Sequence, residues 1–139
     1  MVKLLLGEAG TGKTKKMLSM ANEELKNVKG ELVYIESSSK HMHQLHRDIR
    51  FISTEDFKLS TFNSIYGFLC GMVSENYDIQ RIYIDGIDKM IYPFDSMFLK
   101  FVEDLDKLSD KYQLDLIMSA STPDEEMNSQ LKNYCIDCD

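Results

Sequence analysis

Apolar residues follow two different spacings along the chain, and these spacings predict its strands and helices. Four short runs are almost continuously apolar and are predicted to be buried strands: residues 2–6, 32–35, 81–85 and 114–118. Between them, apolar residues recur every three or four positions, as on one face of a helix, over residues 11–29, about 61–74 and about 94–111. Strands that alternate with helices in this way are typical of a parallel sheet with helices on both faces.

Weaker signals occupy the segments between these elements. Residues 37–39 are serines, which favour a helix start, so a helix is predicted through about Arg47. A short strand is expected around residues 58–60. Residues 122–125 have the spacing of a capping box with proline at the first helical position, which predicts a short helix. A last strand is expected at residues 134–138.

The composition fits one domain with a single core. The chain has 139 residues, of which 43% are hydrophobic, and it contains neither an internal repeat nor a low-complexity tract. We therefore expect one domain over residues 1–139. Its predicted fold is a three-layer α/β/α arrangement with a mostly parallel sheet of about five strands.

Charge and hydropathy argue against several functions. The formal net charge is −7, which disfavours nucleic-acid binding. No apolar run approaches the roughly 18 residues of a membrane-spanning helix, and no long apolar segment of a signal peptide precedes the first strand. The expectation is a cytoplasmic protein without a membrane span.

The loop after the first predicted strand carries the clearest chemical signal. It reads Gly7-Glu8-Ala9-Gly10-Thr11-Gly12-Lys13-Thr14, the G-x-x-x-x-G-K-[ST] pattern of a phosphate-binding P-loop, or Walker A motif. Glycines allow such a loop to curl, so that backbone N–H groups converge on phosphates at the start of the next helix. Lys13 and Lys15 add positive charge, and the Thr14 hydroxyl is a candidate ligand for Mg²⁺. The motif predicts nucleotide binding by residues 7–15 and a P-loop NTPase fold.

Asp85 ends the apolar strand predicted over residues 81–85, as the aspartate of a Walker B motif does. Because parallel strands end at the same edge of a sheet, Asp85 is expected beside Thr14, where it would hold a water bound to Mg²⁺. The alternative is that Asp85 only caps a helix. Asp88 is expected to be a solvated carboxylate or a supporting partner nearby.

The order of these motifs resembles the RecA-like branch of P-loop ATPases. The resemblance lies in four segments, at residues 7–14, 31–39, 81–90 and 114–121. It implies that Glu36 polarises the attacking water and that Ser119 or Ser121 senses the γ-phosphate, while Gly86 provides the small residue after the aspartate. The chain departs from the usual pattern because it is shorter than a RecA core, has no visible DNA-binding loops and lacks the helical lid of AAA+ proteins.

Lys13, Glu36 and Ser119 are thus the predicted catalytic residues. Water activation requires a carboxylate within hydrogen-bond reach of a water in line with the γ-phosphate. Glu8 and Asp88 are alternatives to Glu36 for this role, and very slow hydrolysis without any such residue is a further alternative.

Histidines and cysteines give weaker signals. Three histidines lie close together, at positions His41, His43 and His46. They are expected on a solvated helix face, since no carboxylate completes a convincing metal-binding set. Cys70 is expected in the core, whereas Cys135 and Cys138 are expected to be structural or incidental rather than a metal or redox pair.

The motifs favour an ATPase that uses Mg²⁺ and couples hydrolysis to a conformational or assembly step. A nucleotide-dependent switch with little turnover is the main alternative. A small-molecule kinase is disfavoured because no arginine follows Ser121 to form a lid. ATP is favoured over GTP because residues 119–124 lack the lysine of the guanine-recognition signal.

A homo-oligomer or a protein partner is also expected. Phe68 and Met97 fall outside the inward stripes of their predicted helices, and an exposed apolar patch often marks a partner site. Arg47 or Arg50 could reach a phosphate in its own subunit or, as the resemblance implies, complete the ATP site of a neighbouring copy. The alternative for these arginines is surface ion pairing with Asp48 or Glu55.

Overall fold

The computed structural model describes residues 1–122 and 124–136. Its strands, in chain order, are β1 (Val2–Gly7), β2 (Glu31–Glu36), β3 (Arg50–Ser53), β4 (Ile79–Ile84) and β5 (Asp115–Ser121). Its α-helices are α1 (Lys13–Glu24), α2 (Phe62–Glu75), α3 (Ile87–Met90), α4 (Met97–Tyr112) and α5 (Glu125–Gln130). Single turns of 3₁₀-helix lie at Leu25–Asn27, Met42–Gln44, Thr54–Phe57 and Lys132–Tyr134.

The strands within the described residues form one five-stranded sheet in the order β1-β5-β4-β2-β3, and every pairing is parallel. The predicted α/β architecture is therefore confirmed. β5 lies between β1 and β4, so β4 is one place away from the strand that leads into the glycine-rich loop. The carboxyl ends of all the strands point to the same edge of the sheet, where open α/β folds bind their ligands.

Each face of the sheet packs against its own helices. Successive strand residues point to opposite faces, so Leu4 joins the larger cluster with α2 and α4, while Leu5 joins the smaller cluster with α1. α1 contributes Met17, Leu18 and Ala21 to that smaller cluster. The three layers expected from the sequence are thus built from alternating residues of single strands.

The helix predicted from residues 37–39 through Arg47 is wrong. Only Met42–Gln44 is helical there, as one 3₁₀ turn. The side chain of Asn22 in α1 explains the difference, because it donates to the Gln44 carbonyl at 2.9 Å and accepts from the His46 N–H at 2.8 Å. These backbone groups are therefore satisfied by a side chain instead of a helix.

The strand expected at residues 58–60 is also misplaced. The edge strand β3 lies earlier, at Arg50–Ser53, and Lys58 adopts a left-handed conformation with φ of 54°. α4 begins at Met97, three residues later than predicted, because the Asp95 side chain accepts a hydrogen bond from the Met97 N–H. α1 ends at Glu24 and is followed by a 3₁₀ turn at Leu25–Asn27, so the helix predicted to residue 29 ends earlier than expected.

The C-terminal predictions are partly wrong. Asp124, rather than Thr122, caps α5, because its carboxylate accepts from the Met127 N–H at 3.0 Å. The expected last strand is reduced to a single parallel bridge between Leu4 and Cys135 within the part of the chain that is described. Pro123 and residues 137–139, which include Cys138, lie outside the described residues.

Candidate functional site

The glycine-rich loop joins β1 to α1. Gly10 and Gly12 have φ of 80° and 84°, a left-handed conformation that other residues adopt only with strain. The Thr11 hydroxyl donates to the Glu8 carbonyl at 2.8 Å, and the Lys13 ammonium donates to the same carbonyl at 2.5 Å. The loop is thus folded back on itself, with its lysine lying across it.

A polar cleft of about 330 Å³ opens beside this loop. Its walls come from the loop, from the start of α1, from the last residues of β2 and β5, and from the segments that follow β2 and β4. Of the residues predicted to bind a nucleotide, Ala9, Gly10, Gly12, Lys13 and Thr14 line the cleft. Lys15 and Lys16 instead line a separate surface depression.

Asp85 is buried directly after β4 and is held by three hydroxyl groups. Oδ1 accepts from the Ser119 hydroxyl at 2.8 Å and from the Thr14 hydroxyl at 3.3 Å. Oδ2 accepts from the Tyr34 hydroxyl at 2.8 Å. The expectation that Asp85 lies beside Thr14 is confirmed.

Tyr34 was not recognised from the sequence as part of this site. Its ring is fully buried in β2, between Phe51 and Tyr83. Burial, together with the adjacent Asp85 carboxylate, raises the pKa of Tyr34 far above its usual range, so the hydroxyl stays protonated and donates. The only signal in the sequence is that a tyrosine in a buried strand needs a partner for its hydroxyl.

Glu36, at the end of β2, is only 6% exposed and lines the cleft. His41 Nδ1 lies 2.7 Å from Glu36 Oε2, whereas Oε1 is buried without a hydrogen-bond partner among the described residues. Burial raises the pKa of Glu36, and the hydrogen bond with His41 opposes this shift.

The expectation of a solvated face is wrong for His41, whose side chain is 23% exposed and bonded to Glu36. It holds for His43 and His46, which are exposed. No group of three or more histidine, cysteine, aspartate or glutamate residues that could hold a metal ion occurs in the part of the chain that is described.

Ser119 and Ser121 occupy different positions. Ser119 is buried, and its hydroxyl accepts from the Gly86 N–H at 2.8 Å while donating to Asp85, so it lies beneath the cleft. Ser121 lines the cleft. Asp88 accepts a hydrogen bond from the Ser121 N–H at 3.0 Å, which assigns this carboxylate a supporting contact with β5.

Three lysines line the cleft: Lys13, Lys40 and Lys89. Burial lowers the pKa of Lys13; the neighbouring Asp88 carboxylate opposes this shift, whereas the Lys89 ammonium adds to it. Arg47 and Arg50 are exposed outside the cleft. Neither forms an ion pair with Asp48 or Glu55 within residues 1–122 and 124–136, so the expected surface pairing is absent there.

Comparison with solved structures finds the flagellar accessory protein FlaH from Methanocaldococcus jannaschii. It matches with a TM-score of 0.59 and 15% identity, over 96% of this chain and 67% of that chain. At that identity the likeness establishes the α/β fold alone. No family model and no curated protein matches the sequence. None of the described helices has the length and apolar character needed to cross a membrane.

Proposed function

We propose that this protein binds ATP together with Mg²⁺ in the cleft and hydrolyses it to ADP and phosphate, to drive a conformational or assembly step. The observation that carries the proposal is the hydrogen bond between Thr14 and Asp85 at the end of a loop shaped by Gly10 and Gly12. A hydroxyl and a carboxylate side by side, next to a glycine-rich anion site, suit a metal–phosphate complex.

The loop supplies the phosphate contacts in this proposal. Backbone N–H groups of residues 7–14 and the N-terminus of α1 attract anions. The Lys13 ammonium, which donates to the Glu8 carbonyl and to the Thr11 hydroxyl, exchanges these neutral acceptors for phosphate oxygens.

Thr14 and Asp85 fit Mg²⁺, because both present oxygen and Mg²⁺ prefers oxygen ligands. Asp85 already accepts from Tyr34 and Ser119, so its remaining capacity suits a metal-bound water. The ion, when bound, would neutralise charge that develops on the phosphates.

Glu36 is the proposed base. As a water attacks the γ-phosphorus, a proton passes from the water to a carboxylate oxygen of Glu36, and the bond between the γ-phosphorus and the bridging oxygen breaks to release ADP. Burial within the cleft wall and the unpartnered Oε1 support this role. Glu8 fits less well, because it is exposed and does not line the cleft.

Two measurements test the proposal. The first is phosphate release from ATP in the presence of Mg²⁺, and the second is the rise in melting temperature that ATP or GTP causes. Lys13→Ala should abolish both effects while the circular dichroism spectrum stays unchanged, and GTP should be a poorer ligand than ATP. Lys100→Ala, on the exposed face of α4, is the matched control. ATP stabilisation that persists undiminished in Lys13→Ala would overturn the proposal, whereas binding without phosphate release would favour the switch.

A further inference from the structure

His41 contacts Glu36 from the segment that follows β2. The two residues are five positions apart, and the chain turns between them so that the imidazole returns to the end of the strand. The side chains are 23% and 8% exposed, respectively, so water competes only weakly for their hydrogen bond.

The two oxygens of the Glu36 carboxylate have different surroundings. Oε2 is engaged by His41, while Oε1 is buried and has no hydrogen-bond partner within the described part of the chain. A buried polar atom without a partner costs free energy, so such an atom usually marks the place of a water, an ion or a ligand. Because Glu36 lines the cleft, Oε1 is the oxygen that remains for a water there.

We propose that His41 is a positioning residue, which holds Oε2 of Glu36 so that Oε1 meets the attacking water. This inference rests on the proposed function. Since the rotation of a glutamate carboxyl group about its last bond is broad, a single donor on one oxygen fixes where the other points. A hydrogen bond to a carboxylate is also stronger than one between neutral groups.

Lys40 is the rival donor, because it also lines the cleft and its charge also lowers the pKa of Glu36. Its side chain is exposed and flexible, and no hydrogen bond to Glu36 from it is found among residues 1–122 and 124–136. The imidazole is rigid and already lies at 2.7 Å, so it orders the carboxylate at a smaller cost in conformational entropy.

The contact itself can be tested without turnover, by ¹⁵N NMR of the histidine rings near pH 8. A His41 ring that donates to Glu36 must carry a hydrogen on Nδ1. The exposed His43 is the internal reference. A neutral His41 ring that bears its hydrogen on Nε2 alone would overturn the proposal, because its Nδ1 could not donate to Glu36.

The consequence for turnover is tested with His41→Ala, His41→Asn and Glu36→Gln. His41→Ala should lower kcat about 10- to 100-fold, as expected when a reacting group is misplaced, with the affinity for ATP unchanged. Asparagine can donate from nearly the position of Nδ1, so His41→Asn should recover most of this loss. In the Glu36→Gln background, His41→Ala should cause no further loss.

His43→Ala is the matched control, because this histidine lies in the same segment, is exposed and does not line the cleft. An unchanged kcat in His41→Ala, together with a reduced kcat in Glu36→Gln, would overturn the positioning role and leave the proposed function standing. Failure of the wild-type protein to bind or hydrolyse ATP would overturn both.

Discussion

At the residue scale, hydroxyl groups on neighbouring elements fix the orientation of the Asp85 carboxylate. Hydroxyl groups from α1, β2 and β5 reach it, and the one from Tyr34 crosses from the adjacent strand. The bonds from Tyr34 and Ser119 are buried, whereas the bond from Thr14 is partly buried. The loss of a donor to a buried carboxylate is costly.

Tyr34→Phe should therefore lower the free energy of unfolding by about 1.5–3 kcal/mol, the usual range for a hydrogen bond to a charged group. It should also weaken the dependence of ATP binding on Mg²⁺, because Asp85 loses its orientation. Urea denaturation and ATP titrations at several Mg²⁺ concentrations measure the two effects. Tyr83→Phe is the matched control, since the buried Tyr83 hydroxyl lies near Arg81 and makes no hydrogen bond to Asp85. Equal losses in the two variants would contradict the prediction.

Glu36 gives a second prediction, concerning pH. Burial raises its pKa, so folding favours the protonated form and the ionised carboxylate is a cost to the native state. The stability contributed by the protonated form is present below the ordinary glutamate pKa, about 4.3, and is lost as the pH rises through the raised value.

Glu36→Gln should therefore raise the melting temperature near pH 8, and this gain should shrink as the pH falls through the raised pKa of Glu36 and be gone below about 4.3. Thermal melts of both proteins between these limits check the sign. A gain that is the same at every pH, or a loss near pH 8, would show that burial does not penalise this carboxylate.

The sequence predicted some of these contacts and missed others, for a physical reason. Thr14 and Asp85 could be paired in advance, because each follows a strand of one parallel sheet and such ends share an edge. The contact between His41 and Glu36 could not be predicted, because it depends on the path of an irregular segment. Periodicity assigns residues to faces and does not specify which side chain turns back to which oxygen.

At the scale of elements, α2 shows how a helix start follows from local chemistry. The Thr61 hydroxyl accepts from the Ser64 N–H at 3.0 Å, and the Ser64 hydroxyl accepts in return from the Thr61 N–H at 3.0 Å. Thr61 thus caps the helix that was predicted to begin near it, with a reciprocal capping box.

Thr61→Ala should lower the free energy of unfolding by about 1 kcal/mol, the typical cost of losing an N-cap. Ser74→Ala is a suitable control, because within the described residues its hydroxyl bonds only to the Gly71 carbonyl, near the end of the same helix. Urea denaturation measures both variants. The cap explanation would fail if Thr61→Ala cost no more than Ser74→Ala.

The same capping chemistry explains why the wrong capping residue was predicted for α5. Thr122 and Asp124 are both good capping residues, and a sequence does not show which of them the backbone will select. In the fold, the Thr122 hydroxyl accepts from the Asp124 N–H, and the Asp124 carboxylate caps the helix. Strand β3 was missed because only Phe51 and Ile52 are apolar in its four residues, too few for a recognisable run.

At the scale of the whole molecule, self-association stays a prediction. Met97 is 53% exposed, as expected from its position, whereas Phe68 is half-buried against Phe57 and does not lie freely on the surface. Arg47 and Arg50 are exposed away from the cleft of their own chain. Contact of either arginine with a phosphate of a second copy therefore also stays a prediction.

Light scattering with and without a non-hydrolysable ATP analogue tests this expectation. We expect a mass above the 16.1 kDa of one chain in the presence of the analogue. ATP turnover per chain should rise with protein concentration, and Arg47→Ala or Arg50→Ala should weaken that rise. A 16.1 kDa species under both conditions, with turnover independent of concentration, would contradict the prediction.

The sheet order also has a consequence for protein synthesis. β1 leads directly into the glycine-rich loop, yet it pairs with β5, and the first of these pairs joins Val2 to Leu116. A ribosome therefore releases the loop more than a hundred residues before the strand that will hold β1 in the sheet. Contacts so distant in sequence form late, because closing long segments of chain costs entropy. We therefore expect the nascent chain to carry its glycine-rich loop without the β1–β5 pairing that anchors it until Ser121 has left the exit tunnel.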